Sequence, residues 1–209
     1  MRSYLNKWSL CGWLLLAASS SAYSAPKTVL VLGDSLSAEY GLSRGSGWVA
    51  LLEQRLRKEK IDARIVNASI SGETTSGGRA RLPALLTQHH PDLVIIELGA
   101  NDGLRGQPVA AAEANLRTMI EQSQKSRARV LLVGIRVPPN YGRSYTESFY
   151  GMYKKLSTQS KAALVPFMLE GVADTPAMFQ ADRLHPNATA HPIILANIWP
   201  QFLALVNAK

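Results

Sequence analysis

Short apolar runs alternate with helical patterns along almost the whole chain, and this alternation constrains the fold more than any other feature. Runs rich in β-branched and other apolar residues occur at 29–32, 63–67, 93–98, 130–135 and 164–167. Between these runs, apolar residues recur at helical spacing, as at Val49, Leu52 and Leu56. Strands that alternate with helices form a parallel sheet covered by helices on both faces. The sequence therefore predicts an α/β fold.

The first 24 residues have the pattern of a secretory leader. A positively charged start is followed by a short apolar stretch and then by small residues, and the apolar stretch is too short to span a bilayer comfortably. Cleavage is expected after Ser24, with Ala22 as an alternative position. We therefore interpret residues 1–24 as a signal peptide and residues 25–209 as one domain, located in the periplasm or outside the cell.

Cysteine content and charge limit the possible partners of the exported domain. The sole cysteine, Cys11, lies in the leader, so the mature chain has no disulfide and no thiol nucleophile. The formal net charge is +8, or +6 without the leader, and its densest basic cluster at 55–60 suits a solvated helix face. We expect a monomer without nucleic-acid partner, stable membrane anchor, metal or cofactor.

A catalytic pattern begins where the first apolar run ends, at Gly33, Asp34 and Ser35. Ligands bind beyond the carboxyl ends of parallel strands, so Ser35 would stand where a nucleophile is useful. The same triplet could simply form a turn and cap a helix. Near the other end of the chain, Asp182 and His185 are three residues apart and can meet on one turn. Together the three polar side chains predict a triad in the order Ser, Asp, His.

Three other histidines are weaker candidates for the general base. His89 and His90 precede Pro91 on the segment that enters a strand, which is the wrong end of the sheet. His191 lies in a predicted closing helix and is interpreted as structural or exposed. The sequence therefore favours His185.

Acyl transfer also needs hydrogen-bond donors for the oxyanion, and two further strand ends supply candidates. Gly72 follows the second strand and lets the backbone approach a substrate closely. Asn101 follows the third strand and can donate from its side-chain amide. Each could be an ordinary turn residue. Their convergence with one serine and one histidine at the same edge of the sheet favours the catalytic interpretation.

Four sequence blocks, in this order, resemble those of the SGNH (GDSL) hydrolases, in particular the bacterial periplasmic group of thioesterases, lysophospholipases and arylesterases. The blocks are 31–38 (VLGDSLSA), 67–72 (NASISG), 98–103 (LGANDG) and 182–187 (DRLHPN), and 138–142 (PPNYG) is a match more specific to this group. Glu39 stands where related sequences often carry a smaller residue, which would change the polarity of the pocket mouth.

The resemblance implies a three-layer α/β/α fold with a five-stranded parallel sheet, similar to flavodoxin in outline. It implies Ser35 as nucleophile, His185 as base and Asp182 as the group that orients the base. The implied oxyanion hole consists of the backbone amides of Ser35 and Gly72 and the Asn101 side chain. The implied activity is cofactor-free hydrolysis of acyl or aryl esters and acyl thioesters through an acyl-serine intermediate, with lysophospholipids among the candidate substrates.

The loops after the third and fourth strands indicate the substrate class. Leu104, Val137 and Tyr141 give these loops an apolar character that suits an acyl or aryl group better than a sugar. One alternative is a carbohydrate acetylesterase of the same superfamily. Another is a non-catalytic flavodoxin-like module whose Ser35 loop binds an anion, although anion binding would not require the Asp-x-x-His spacing.

Overall fold

A computed structural model describes residues 25–208, so the predicted signal peptide lies outside the described residues. The strands are β1 (Lys27–Gly33), β2 (Ala63–Asn67), β3 (Leu93–Glu97), β4 (Arg129–Val133) and β5 (Ala163–Val165). The α-helices are α1 (Trp48–Glu59), α2 (Thr75–His89), α3 (Ala100–Leu104), α4 (Val109–Lys125), α5 (Arg143–Ser160) and α6 (His191–Asn207), and short 3-10 helices form at Pro139–Tyr141 and Pro176–Met178. None of the described helices is long and apolar enough to cross a membrane.

The strands form one parallel sheet in the order β2-β1-β3-β4-β5. Helices α1 and α6 pack together on one face, and α2, α4 and α5 pack together on the other. The chain builds outward from β1 to β2 and then reverses across β1 to β3. At such a reversal the loops after the two central strands diverge and leave a crevice at their carboxyl ends. The predicted five-stranded α/β fold is confirmed.

The apolar runs of β1, β3 and β4 form the buried centre of the sheet, whereas the edge strand β2 is not buried. Residues 29–32 of β1 and 94–96 of β3 are completely inaccessible to solvent, because helices cover both faces of these strands. The last strand is shorter than its apolar run suggested. It ends at Val165 because Pro166 has no N–H to donate to a neighbouring strand.

Apolar periodicity did not indicate α2. Its buried positions do recur at helical spacing, at Thr75, Gly78, Leu82 and Leu86, but the first two are a threonine and a glycine, so the first half of the helix shows no apolar stripe. The Thr74 side chain caps the start of the helix, because its hydroxyl oxygen accepts a hydrogen bond from the Gly77 N–H at 3.3 Å. Tertiary packing, with Gly78 close to Leu98 of the β3 loop, replaces the missing apolar stripe.

A close approach of two backbones shapes the segment after β4. The Gly134 N–H donates to the Val165 carbonyl at 2.8 Å. A Cβ at position 134 would collide with the Pro166 carbonyl oxygen, and a backbone atom cannot move aside as a flexible side chain can. This contact determines where residues 135–139 lie.

Gly134→Ala should therefore destabilise the protein by about 1–3 kcal/mol, the usual range for overpacking. Gly151→Ala is the matched control, because position 151 lies in α5 with no atom within 4 Å of an added Cβ. That control should be neutral or stabilising by up to about 1 kcal/mol, since alanine favours helix more than glycine does. Urea unfolding measures both changes, and equal stabilities of the two variants would contradict the close approach.

Candidate active site

Ser35 lies in a tight turn immediately after β1. The Asp34 carboxylate stabilises this turn, because its Oδ1 accepts the Leu36 N–H at 3.0 Å. The Asp34 carbonyl also accepts the N–H groups of Ser37 and Ala38, at 3.2 and 3.0 Å. The turn therefore presents the Ser35 side chain at the carboxyl edge of the sheet, into a cleft.

The structure brings the three predicted triad residues into one hydrogen-bonded series. Ser35 Oγ lies 3.0 Å from His185 Nε2, and His185 Nδ1 lies 2.7 Å from Asp182 Oδ2. The other oxygen of Asp182 accepts the backbone N–H groups of His185 and Leu184, at 3.0 and 2.9 Å. These backbone donors, with the imidazole, lower the pKa of Asp182 to about 2. Asp182 is therefore ionised at neutral pH.

Tyr40 and Gln180 hold the histidine loop against the serine turn, and sequence reasoning identified neither residue. The Tyr40 ring packs on the His185 ring with centroids 4.4 Å apart. The Gln180 side-chain amide donates to the carbonyls of Tyr40 and Pro186, at 2.8 and 3.0 Å. Its backbone N–H donates to the His185 carbonyl at 2.8 Å. The Gln180 contacts are specific but have no sequence signal beyond proximity to the Asp-x-x-His motif.

The predicted oxyanion donors also border this cleft. Ser35, Gly72 and Asn101 all line it, and Gly72 adopts a positive φ of 80° that favours glycine. Within residues 25–208, the backbone N–H groups of Ser35 and Gly72 donate to no protein acceptor. The Asn101 amide differs, because its nitrogen donates to Asp34 Oδ2 at 3.2 Å and to the Glu73 carbonyl at 3.0 Å.

Two buried carboxyl groups, Asp34 and Glu97, lie behind the serine turn. Burial raises the pKa of Asp34 to about 6, although the Leu36 N–H opposes this shift. Burial and the nearby Asp34 charge raise the pKa of Glu97 well above its ordinary value. Glu97 Oε2 accepts the Ser37 hydroxyl at 2.6 Å, and Trp48 donates its indole N–H to the same hydroxyl at 3.1 Å.

The cleft has a volume of about 700 Å³ and extends along the carboxyl edge of the sheet from β1 to the loop after β5. Leu104 and Val137 line it as predicted, beside Ile135 and Leu169. The wall is apolar at these positions, and Arg136, Glu170, Asp174 and Arg183 also line the cleft.

The structure places Tyr141, the third predicted substrate-binding residue, outside the cleft wall. This residue is not among those that line the cleft, and it borders a shallow neighbouring depression. Its hydroxyl donates to the Leu104 carbonyl at 2.7 Å, which directs the side chain across the outside of the loop. Tyr141 therefore contacts the backbone of the predicted substrate loop and does not face the substrate space.

Glu39 does not change the polarity of the pocket mouth. Its carboxylate accepts the backbone N–H groups of Gly45 and Gly47, at 2.7–3.1 Å, and it is absent from the cleft wall. The departure from the family pattern at this position therefore stabilises the loop that precedes α1.

The other histidines lie away from Ser35. His191 is buried and its Nδ1 accepts the Trp48 N–H at 3.0 Å, and burial lowers its pKa. His89 ends α2 and His90 follows it, ahead of β3, so both lie at the opposite end of the sheet from the serine turn. Within residues 25–208, no group of three or more His, Cys, Asp or Glu side chains is placed to hold a metal ion.

Comparisons with known proteins agree with this geometry. A family model described as the GDSL-like Lipase/Acylhydrolase family matches residues 31–193. Esterase TesA of Pseudomonas aeruginosa is 52% identical over 183 residues, covering 88% of this chain and 91% of the relative. The "Thioesterase 1/protease 1/lysophospholipase L1" of Escherichia coli K12 is 43% identical over 201 residues, covering 96% and 95%.

A solved structure gives the same result. Psychrotrophic esterase EstA from Pseudoalteromonas sp., inhibited by monoethylphosphonate, superimposes with a TM-score of 0.83 at 42% identity, covering 87% of this chain and 100% of that chain. The family model spans most of the chain and includes the serine turn, both oxyanion-donor loops and the Asp-x-x-His loop. The chain therefore belongs to the GDSL-like lipase/acylhydrolase family.

Proposed function

We propose that the chain hydrolyses carboxylic esters and acyl thioesters through an acyl intermediate on Ser35. The observation that carries this proposal is the hydrogen-bonded series from Ser35 Oγ through His185 to Asp182, with separations of 3.0 and 2.7 Å. Nucleophile, base and orienting carboxylate have the relative placement that acyl transfer by serine requires.

The reaction proceeds in two halves. His185 Nε2 accepts the Ser35 proton as Oγ attacks the substrate carbonyl, and the ionised Asp182 stabilises the imidazolium that forms. The same proton then passes to the departing alcohol or thiol, which leaves the acyl group on Ser35. In the second half, His185 takes a proton from water, the hydroxide attacks the acyl-serine, and the proton returns to Ser35 as the acid departs.

The negative charge on the carbonyl oxygen is stabilised by N–H donors at the mouth of the cleft. The backbone N–H groups of Ser35 and Gly72 have no protein acceptor among the described residues and are available to it. Asn101 supplies the third donor in this proposal, from its side-chain amide. Donors held in advance of reaction stabilise the transition state without reorganisation.

The apolar part of the cleft wall supports acyl or aryl substrates over sugars. Leu104, Val137 and Ile135 offer methyl groups and no hydrogen-bonding side chains. The names of the relatives, esterase and thioesterase/protease/lysophospholipase, support carboxylic esters, thioesters and lysophospholipids as substrate classes. We also propose export of the chain through the leader pattern at 1–24, and a monomeric enzyme that needs no metal or cofactor.

Ser35→Ala tests the proposed nucleophile. The variant should lose at least about 10³-fold in kcat on a nitrophenyl ester, because Ser35 supplies the hydroxyl that contacts His185 Nε2 among the described residues. An alkyl phosphonate should add one equivalent of mass to the wild type and none to the variant. Ser71→Ala removes a hydroxyl from the same cleft without a contact to His185, so it should retain activity and phosphonate labelling. Full turnover by Ser35→Ala would reject the proposal.

The dependence of activity on pH tests the proposed base. Because His185 must be neutral to accept a proton, kcat/KM should rise with increasing pH along one limb. Asp182, with a pKa of about 2, stays ionised across this range. The contacts of the Asp182 carboxylate stabilise the fold above its ordinary pKa of 3.8, and this stability is lost as pH falls towards 2.

Asp182→Asn should lower kcat by about 10⁴-fold. Unchanged kcat in this variant would contradict the assignment.

Chain-length preference tests the proposed acyl wall. Leu104→Ala and Val137→Ala should each change discrimination between short and medium acyl chains by about 1–3 kcal/mol, as expected for an apolar pocket. Ile70→Ala is the control, because Ile70 is exposed and outside the cleft wall. The measurement is kcat/KM on nitrophenyl esters, acyl-CoA and acetylated xylan. Turnover of acetylated xylan alone would favour the carbohydrate acetylesterase.

A further inference from the structure

Asn101 is the proposed side-chain donor to the oxyanion, yet its amide hydrogens are already engaged. Its nitrogen donates to Asp34 Oδ2 at 3.2 Å and to the Glu73 carbonyl at 3.0 Å. Both partners are pure acceptors when Asp34 is ionised, so the nitrogen of the amide must face them. A primary amide has only two N–H bonds. The resting side chain therefore has no free hydrogen for a substrate oxygen.

A single carboxylate connects this amide to the nucleophile. Asp34 is inaccessible to solvent, and each of its two oxygens accepts one hydrogen bond. Oδ1 accepts the Leu36 N–H in the turn that presents Ser35, and Oδ2 accepts the Asn101 amide. The positions of the nucleophile and of the oxyanion donor are therefore coupled through Asp34.

The surroundings of Asp34 determine its charge. Burial opposes ionisation of Asp34 most strongly, and the charge of Asp102 from α3 adds to this effect, whereas the Leu36 N–H, His185 and the Asn101 amide favour ionisation. Glu97 Oε2 accepts the Asp34 backbone N–H at 3.4 Å, and burial and the nearby Asp34 charge raise the pKa of Glu97 well above its ordinary value. Both oxygens of Asp34 accept hydrogen bonds from N–H groups, as a carboxylate does, and its pKa of about 6 lies below neutral pH.

We propose that Asp34 is a positioning residue which holds the Asn101 amide beside Ser35 and yields one of its hydrogens only to the charged oxyanion. This inference rests on the proposed function. The neutral carbonyl of a bound substrate competes poorly with a carboxylate for an N–H, because charge-assisted hydrogen bonds are about twice as strong as neutral ones. The oxyanion of the transition state competes well with Asp34 for the Asn101 N–H, since both acceptors are anionic.

The consequence is a donor that acts in the transition state and not in the ground state. An interaction of this kind changes kcat and leaves KM nearly unaltered. The Asp34 contact is the longer of the two Asn101 contacts, and Asp34 keeps its Leu36 hydrogen bond after the exchange. The Glu73 carbonyl remains as the fixed anchor of the amide.

A double-mutant cycle on kcat tests the proposal. Asn101→Ala should lower kcat by about 10²–10³-fold with little change in KM, as for other side-chain oxyanion donors. Asp34→Ala should lower kcat by up to about 10²-fold through misplacement of the amide, also without raising KM. The double variant should lose less than the product of the two single losses, because the part of the Asp34 effect that acts through Asn101 disappears when Asn101 is absent, whereas the part that acts through the Leu36 N–H remains.

Ile70→Ala is the matched control in this cycle. Ile70 is exposed and lies outside the cleft wall, so its side chain is remote from the buried hydrogen bonds of Asp34. Its effect should be the same with Asn101 or alanine at position 101. Losses that multiply for Asp34→Ala and Asn101→Ala would overturn the proposal. A rise in KM with unchanged kcat in Asp34→Ala would overturn it as well.

Loss of folding would be a separate effect, so thermal melting of each variant accompanies the kinetics. If Asp34→Ala does not melt cooperatively, the cycle is repeated with Asp34→Asn, which has the same size. An amide at position 34 must present its NH₂ either to the Leu36 N–H or to Asn101, so it also loses one of the two contacts. Retained turnover in Ser35→Ala would reject the proposed function itself. If Ser35→Ala is inactive but the losses of the Asp34 and Asn101 variants multiply, only the role of Asp34 is rejected.

Discussion

The parallel pairing of β1 with β3 is the constraint on which the rest of the structure depends. This pairing carries the reversal in strand order, and it places the loops after both strands at the same edge of the sheet. Ser35 leaves β1 at this edge and Asn101 enters α3 beside it. If β3 were displaced along β1, the Leu36 N–H of the serine turn and the Asn101 amide could not both donate to the Asp34 carboxylate.

The buried carboxyl groups behind the serine turn have specific hydrogen-bond partners. Burying a carboxyl without hydrogen bonds costs several kcal/mol, yet Asp34 and Glu97 are both buried within the same network. Their donors include the serine turn, the Ser37 hydroxyl and the Asn101 amide. The stability of the fold and the geometry of the proposed catalytic groups therefore depend on the same hydrogen bonds. A substitution here should affect both properties, which is why kinetics and melting must be measured together.

Short-range patterns predicted most of the architecture. The apolar runs of β1, β3 and β4 became buried parallel strands because both faces of the sheet are covered, and the Asp-x-x-His spacing brought Asp182 onto His185 within one loop. The α2 helix escaped the same reasoning, since Thr75 and Gly78 occupy two of its four buried positions. Tyr141 was placed in the cleft from its loop alone, whereas its hydroxyl turns to the Leu104 carbonyl. The position of a loop predicts which residues lie near the cleft, but it does not predict the direction in which each side chain points.

The sequence by itself determined which chemical groups are available and at which strand ends they occur. These properties follow from residue type and local spacing, which need no knowledge of distant segments. Tertiary structure alone decided that the Asn101 amide donates to Asp34, 67 positions away, and that Glu39 supports a loop and not the pocket mouth. Hydrogen bonds form only within about 3.5 Å. Such partners are therefore decided by strand register and loop packing, which no local pattern encodes.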